Sequence, residues 1–134
     1  MKHQILKLTL LLLFISCSEI NTTEPNEVYK YWSGSNPPEN IKLINGKYWQ
    51  SAHWTREYIM SLKLKPNKNW WNEFVSQNKL ELDTTKWTKP NDLPKWFNPS
   101  NNSVRYKISG GFDQGSRYFM DKSTNECYIY EIQL

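Results

Sequence analysis

Three polar side chains that could take part in chemistry lie within five residues, at the start of a predicted strand. His53, Arg56 and Glu57 bring an imidazole, a guanidinium and a carboxylate together in the hexapeptide from residue 53 to residue 58. Such a set could hold a polar ligand, so these three residues are candidates for a ligand or partner site. The alternative is a solvated strand end, where an exposed Arg–Glu contact stabilises the fold by less than about 1 kcal/mol.

A second candidate site consists of aromatic residues in the turn-rich stretch between residues 80 and 103. Trp87, Trp96 and Phe97 lie there among three prolines. Exposed aromatic rings can stack on sugars or fill pockets on a protein partner, where Trp and Tyr often dominate the binding energy. The alternative is that these rings form core, because the chain has 7 Trp and 8 Tyr and comparatively few aliphatic residues to fill an interior.

Metal, cofactor and nucleophile chemistry has little basis in the sequence. His53 is the one histidine after residue 16, and Cys127 is the one cysteine after residue 17. Zinc sites need several such ligands at short spacing, and a lone cysteine is more often a small buried hydrophobic residue. Gly110, Gly111 and Gly115 predict a turn between strands, whereas a phosphate loop precedes a helix. We therefore predict no metal, no cofactor and no enzymatic activity.

The first 17 residues have the layout of a targeting leader. Lys2 and Lys7 give a positive start, and the apolar run Leu8–Ile15 is shorter than the roughly 20 residues of a spanning helix. The tetrapeptide Phe14-Ile15-Ser16-Cys17 resembles the lipobox of bacterial lipoproteins, although Leu is the usual first residue. The resemblance implies that Cys17 becomes the first mature residue and carries acyl chains that hold the protein on a membrane.

This leader implies an organisation in three parts. Residues 1–16 are predicted to be a signal peptide, residues 17–30 a lipidated cysteine with a polar tether, and residues 31–134 a single domain. Ser18 stands where enteric bacteria use Asp to retain lipoproteins at the inner membrane, so the outer membrane is favoured if the cell is Gram-negative. With Cys17 acylated, Cys127 has no partner for a disulfide, and the exported domain must be stabilised by packing.

The charge of the chain argues against nucleic acid as a partner. Removal of residues 1–16 leaves 15 basic and 13 acidic residues, a net charge of +2. That balance is too small for binding a charged polymer. Of the 17 basic residues in the whole chain, 14 are Lys and 3 are Arg, whereas phosphate and base recognition mainly recruits Arg. Export would also separate the protein from nucleic acid.

Periodicity predicts an α+β domain. Residues 57–65 alternate as a half-buried strand, and Asn67 can cap a helix through about Asn78. The helix would present an aromatic face made of Trp70, Trp71, Phe74 and Val75.

The dipeptide Asn45-Gly46 predicts a hairpin with a type I′ turn, and Tyr29–Trp32 predicts a short strand. Strands are also predicted over 104–108, 117–120 and 127–132, with Asn125 in a left-handed turn. We expect an antiparallel sheet of about four or five strands with one aromatic-faced helix packed on it.

These features favour a function in the cell envelope. Beyond the leader, the chain resembles the small lipoproteins, rich in Asn, Lys and Trp, of low-GC bacteria, and that resemblance implies no particular activity. We expect a lipid-anchored, non-enzymatic module that binds another envelope protein, as an inhibitor or immunity protein does. The alternative is a lipoprotein that binds a glycan or small ligand through the aromatic loop residues Trp87, Trp96 and Phe97.

Overall fold

The structure, a computed structural model, describes residues 18–134 and is built around one antiparallel sheet. The sheet has seven strands in the order β1-β2-β3-β7-β6-β5-β4. The strands are β1 (Ile20–Thr22), β2 (Lys42–Gln50), β3 (Tyr58–Lys65), β4 (Leu80–Leu82), β5 (Ser103–Ile108), β6 (Arg117–Asp121) and β7 (Cys127–Gln133). The helices are α1 (Pro25–Ser33) and α2 (Lys68–Gln77). Neither of these two helices is long and apolar enough to cross a bilayer.

The predicted fold class is wrong. Instead of four or five strands with one helix, residues 18–134 form a mostly β structure of seven strands with two short helices. Two of the additional strands, β1 and β4, lie at the edges of the sheet and are three residues long each. A segment of that length is too short to show the alternation of apolar and polar residues by which a strand is recognised.

The segment from residue 20 to residue 33, predicted mostly as a polar tether, lies within the folded domain. Its first three residues pair as β1 with the end of β2. The predicted strand Tyr29–Trp32 is wrong, because these residues belong to α1. Pro25 begins this helix at a position where the missing N–H costs nothing, and Gly34 ends it with a left-handed φ of 74°. Val28 is fully buried against the sheet.

The predicted turn at Asn45-Gly46 is also wrong, because both residues lie inside the continuous strand β2. Gly46 pairs with Leu62 of β3. A Cβ atom at Gly46 would lie 2.8 Å from Cγ2 of Val28 and 3.1 Å from Cα of Pro25. Glycine is therefore needed here so that α1 can approach the strand closely.

The central strand and the second helix confirm the corresponding predictions. The alternation expected over residues 57–65 is β3, in which Met60, Leu62 and Leu64 are fully buried. Asn67 caps α2, since its side-chain oxygen accepts a hydrogen bond of 2.7 Å from the backbone N–H of Trp70. The remaining helix, α1, packs on β3 and on the neighbouring strand β2.

Both faces of the sheet are covered. On one face, α1 and α2 pack over a core that includes Tyr48, Met60, Leu62, Leu64, Tyr118, Cys127 and Ile129. On the other face, residues 83–102, which contain no helix or strand, cover a cluster made of Phe97, Phe119, Tyr128 and Tyr130. β7 divides its side chains between the faces, so that Cys127 and Ile129 lie in the core under the helices, whereas Tyr128 and Tyr130 lie under the loop.

Candidate ligand cleft

A cleft of about 490 Å³ opens between α1 and α2, above β3 and β7. Half of its ten lining residues are aromatic, the other half are polar, and its floor carries a carboxylate. The lining residues are Tyr29, Trp32, Ser33, Tyr58, Trp70, Glu73, Phe74, Gln77, Asn78 and Glu131. A cleft of this volume lies in the size range of small-molecule sites, and its lining is more polar than that of a typical apolar pocket.

The aromatic walls are held in place by contacts between the two helices. Trp32 of α1 packs on Phe74 of α2 with 5.6 Å between ring centroids, and on Tyr29 in an edge-to-face arrangement at 5.7 Å. Trp70 stacks directly on Phe74 within α2, with ring centroids 5.2 Å apart and planes inclined by 4°. Since these pairs adopt favourable ring geometries, the walls are ordered before any ligand arrives.

The floor of the cleft is formed by Glu131 of β7. One of its oxygens accepts a hydrogen bond of 2.7 Å from the hydroxyl of Tyr58, and the other accepts one of 2.8 Å from the hydroxyl of Tyr118. Burial, followed by the charge of Glu131, raises the pKa of both tyrosines well above 10. The tyrosines therefore stay protonated and donate their hydrogen bonds to Glu131.

Glu131 forms no salt bridge within residues 18–134. The side chains that donate hydrogen bonds to it in that part of the chain are the two neutral tyrosine hydroxyl groups. Arg56, exposed in the loop between β2 and β3, is close enough to oppose the rise in the pKa of Tyr58 by its charge. It does not reach salt-bridge distance of Glu131. Tyr58 and Glu131 also line a neighbouring hollow of about 330 Å³, beside the loop from residue 109 to residue 116.

The predicted polar set at residues 53–57 does not form a joint site. His53 and Arg56 are exposed, whereas Glu57 is partly buried. The one side-chain hydrogen bond to Glu57 in the described chain comes from the hydroxyl of Thr55, at 3.3 Å, and no salt bridge joins Arg56 to Glu57 there. Next to them, the indole of Trp54 is 99% exposed, which sequence alone does not reveal.

The predicted aromatic loop residues contribute to the core instead. Phe97 is 0% exposed and contacts Tyr128 edge-to-face, with ring centroids 5.4 Å apart. Trp87 packs on Phe119 at 5.4 Å, and its indole N–H donates to the carbonyl oxygen of Gly115. Trp96 is partly buried and packs beside Phe97. With their faces occupied by protein, these three rings do not form a free stacking platform.

An ionic cluster that was not predicted from the sequence joins the start of the loop of residues 83–102 to strands β5 and β6. Oδ2 of Asp83 accepts hydrogen bonds from Nε of Arg105 and from Nε of Arg117, while Oδ1 accepts from the backbone N–H and the hydroxyl of Thr85. Arg117 also contacts Asp113 through a second salt bridge of 2.9 Å. Both carboxylate oxygens of Asp83 accept hydrogen bonds from protein groups, which indicates a structural role for the cluster. Residues this far apart in sequence leave no local signal of their contact.

The remaining chemical candidates are isolated. The side chain of Cys127 is fully buried, 3.3 Å from Sδ of Met120, and burial raises the pKa of its thiol. A thiol of this kind is a poor nucleophile. No group of three or more His, Cys, Asp or Glu residues in the described part of the chain is placed to hold a metal ion. Cys17, the predicted lipidation site, lies outside the described residues.

Comparison with protein-family models, curated proteins and solved structures finds no match to this chain. The function is therefore inferred from the chemistry of the cleft residues and from the leader.

Proposed function

We propose that this chain is a lipid-anchored protein of the bacterial envelope that binds a small organic cation in the cleft between α1 and α2, without catalysis. The observation that carries this proposal is the carboxylate of Glu131 at the floor of an aromatic-walled cleft. A partly buried carboxylate that lacks a cationic partner is costly to desolvate. A positively charged ligand would supply that partner.

The walls of the cleft suit the same class of ligand. A cation within about 6 Å of the centroid of an indole or phenyl face is attracted by the ring quadrupole, and desolvated sites gain about 2 kcal/mol from such contacts. Trp32 and Trp70 are partly buried at the walls, and Glu73 adds a second carboxylate at the rim. Amines and quaternary ammonium groups match this combination of rings and carboxylates better than neutral sugars do.

The anchor is supported by the lipobox-like tetrapeptide that ends at Cys17. Two or more acyl chains on one cysteine give stable membrane attachment, whereas a single chain gives only marginal attachment. Ser18 after the cysteine favours the outer membrane if the cell is Gram-negative. A binding role without catalysis is supported by the exposed, isolated position of His53 and by the buried thiol of Cys127.

A titration with matched ligands tests the cleft. Choline and its uncharged carbon isostere, dimethylbutanol, would each be added to the complete mature protein in lipid nanodiscs. Heat release and tryptophan fluorescence would be recorded during both titrations. Choline is expected to bind and the isostere is not. The variant Glu131→Gln is expected to weaken choline binding at least tenfold, which is about 1.4 kcal/mol. Glu39→Gln, at an exposed carboxylate outside the cleft, is the matched control.

Three outcomes would contradict this assignment. Equal responses to choline and the isostere, or an unchanged affinity in Glu131→Gln, would remove the basis for a cationic ligand. A fluorescence shift with neutral oligosaccharides, and none with choline, would favour the glycan-binding alternative.

Binding of another envelope protein, as an inhibitor or immunity protein does, is the second candidate function. It is favoured by one observation, the nearly complete exposure of Trp54 and Phe112. Large exposed aromatic residues are typical centres of protein interfaces.

A further inference from the structure

Large apolar side chains are exposed at one end of the sheet. Trp54, in the loop between β2 and β3, is 99% exposed, and Phe112, in the loop between β5 and β6, is 90% exposed. Ile108, the last residue of β5, is 49% exposed beside the second loop. We call this end of the sheet, defined by Trp54, Phe112 and Ile108, the aromatic end.

Strand pairing places the two loops at the same end. Tyr58, the first residue of β3, lies opposite Gln133, the last residue of β7. β6 runs antiparallel to β7, and β5 runs antiparallel to β6. The loop between β5 and β6 therefore emerges at the end of the sheet where β7 finishes. The midpoints of the two loops are three strand spacings apart in the sheet order, or about 14 Å. The exposed aromatic residues therefore form the two tips of one surface.

The chain enters the domain at the same end. Ile20, the first residue of β1, lies opposite Gln50, the residue of β2 that precedes the loop bearing Trp54. Ile20 is three residues after Cys17 in the sequence, and three residues span at most about 11 Å. Acyl chains on Cys17 would consequently keep the aromatic end within reach of the bilayer.

The opposite end of the sheet has a different chemistry. The turn between β6 and β7, residues 122–126, is Lys-Ser-Thr-Asn-Glu. The carboxylate of Asp121 accepts hydrogen bonds from Ser100 and Ser123 at this end. No large hydrophobic side chain is exposed in that turn. The two ends thus differ in polarity in the direction expected for a domain that stands on a membrane.

We infer that the aromatic end lies against the lipid bilayer, with Trp54 and Phe112 inserted at the interface between headgroups and acyl chains. This inference rests on the proposed acylation of Cys17. Trp is enriched at membrane interfaces because its ring is apolar and its N–H is polar, and apolar loop tips add to the binding provided by acyl chains. The insertion fixes the orientation of the domain, which an anchor on a flexible chain alone does not.

Lipid contact can be measured with a fluorescent label at each end of the sheet. The full-length acylated protein would carry Ala52→Cys beside Trp54, or Lys122→Cys at the opposite end as the matched control. Both positions are exposed, whereas Cys127 is buried and does not label. In vesicles of phosphatidylcholine and phosphatidylglycerol, a lipid carrying a nitroxide on its acyl chain is expected to quench the label at residue 52 several-fold more than the label at residue 122. Replacing both Trp54 and Phe112 by Ser should remove most of that difference.

Mass spectrometry of the N-terminal peptide separates the two ways of failing. Equal quenching at both positions in a protein shown to be acylated would overturn the orientation while the proposed anchor stands. A protein without acyl chains would overturn the anchor and the orientation together. Equal quenching combined with a photo-crosslink from residue 54 to a protein in cells would assign the aromatic end to a protein partner instead.

Discussion

The guanidinium of Arg117 donates a hydrogen bond of 2.6 Å from Nε to Oδ2 of Asp83, and the two side chains are 5% and 0% exposed. Arg117 begins β6, whereas Asp83 begins the loop of residues 83–102 that covers the second face of the sheet. This contact therefore fastens a segment without regular structure to the sheet. The aromatic core beneath the loop depends on it.

Removal of Arg117 should destabilise the domain strongly. The variant Arg117→Met removes one of the two guanidinium partners of the buried Asp83, while Arg105 stays 2.8 Å from the same oxygen, so the expected loss in the free energy of unfolding is about 1.5–3 kcal/mol. Urea unfolding followed by tryptophan fluorescence measures it. The control is Glu81→Gln, which removes a partly exposed pair with Lys107 at 3.7 Å and should cost less than about 1 kcal/mol. Similar losses in both variants would mean that the buried pair does not hold the loop.

Stability should fall in acid because of Asp83. Burial alone would raise its pKa, but hydrogen bonds from Thr85 and the charge of Arg117 lower it from 3.8 to about 2. A group with a lowered pKa stabilises the fold above its unfolded pKa and loses that contribution as the pH falls toward the folded value. We expect a loss of about 2 kcal/mol between about pH 4 and pH 2. Urea unfolding at a series of pH values measures this slope, which should be shallower in Asp83→Asn.

A side chain at residue 46 should push α1 away from the sheet. In Gly46→Ala the new Cβ would lie 2.8 Å from Cγ2 of Val28, and overpacking of this kind typically costs about 1–3 kcal/mol. Val28→Ala removes the clashing methyl group, so it should be less harmful in the Gly46→Ala background than alone. A double-mutant cycle from urea unfolding gives the coupling. Additive effects would show that α1 does not depend on this contact.

Acylation should depend on Cys17 and tolerate the unusual lipobox. Cells fed a clickable fatty acid are expected to label the wild-type protein and not the Cys17→Ala variant. Phe14→Leu, which restores the usual first residue of the motif, should keep or increase the label. A wild-type protein that takes up no label, beside a lipoprotein control that does, would refute the anchor.

Elements whose signals are local could be predicted from the sequence. β3 shows a clean alternation, Asn67 is a capping residue directly after a proline, and Asn125 has the left-handed φ of 57° expected for the turn before β7. In each case, a backbone conformation or an apolar period is specified by residues within a few positions. Those parts of the fold were predicted within one or two residues.

Elements defined by distant contacts could not be predicted in the same way. Gly46 is a glycine because α1 crosses above it. The turn preference of the dipeptide Asn45-Gly46 therefore predicts a hairpin that the structure does not have. β1 is recognised only by its pairing with β2. Likewise, the candidate cleft combines Trp32, Trp70 and Glu131, which are far apart in sequence. No spacing in a single sequence brings these side chains together.

The two edge strands, β1 and β4, have a consequence for the crowding that the proposed membrane anchor would impose. Each is three residues long, so each edge of the sheet offers only a few backbone groups for pairing with a neighbouring molecule. Long, flat edges are templates on which sheets of different molecules join, and short edges prevent this. Parallel domains crowded side by side on a bilayer would meet edge to edge. If the domain is anchored as proposed, the brevity of β1 and β4 would limit the joining of neighbouring sheets into fibres.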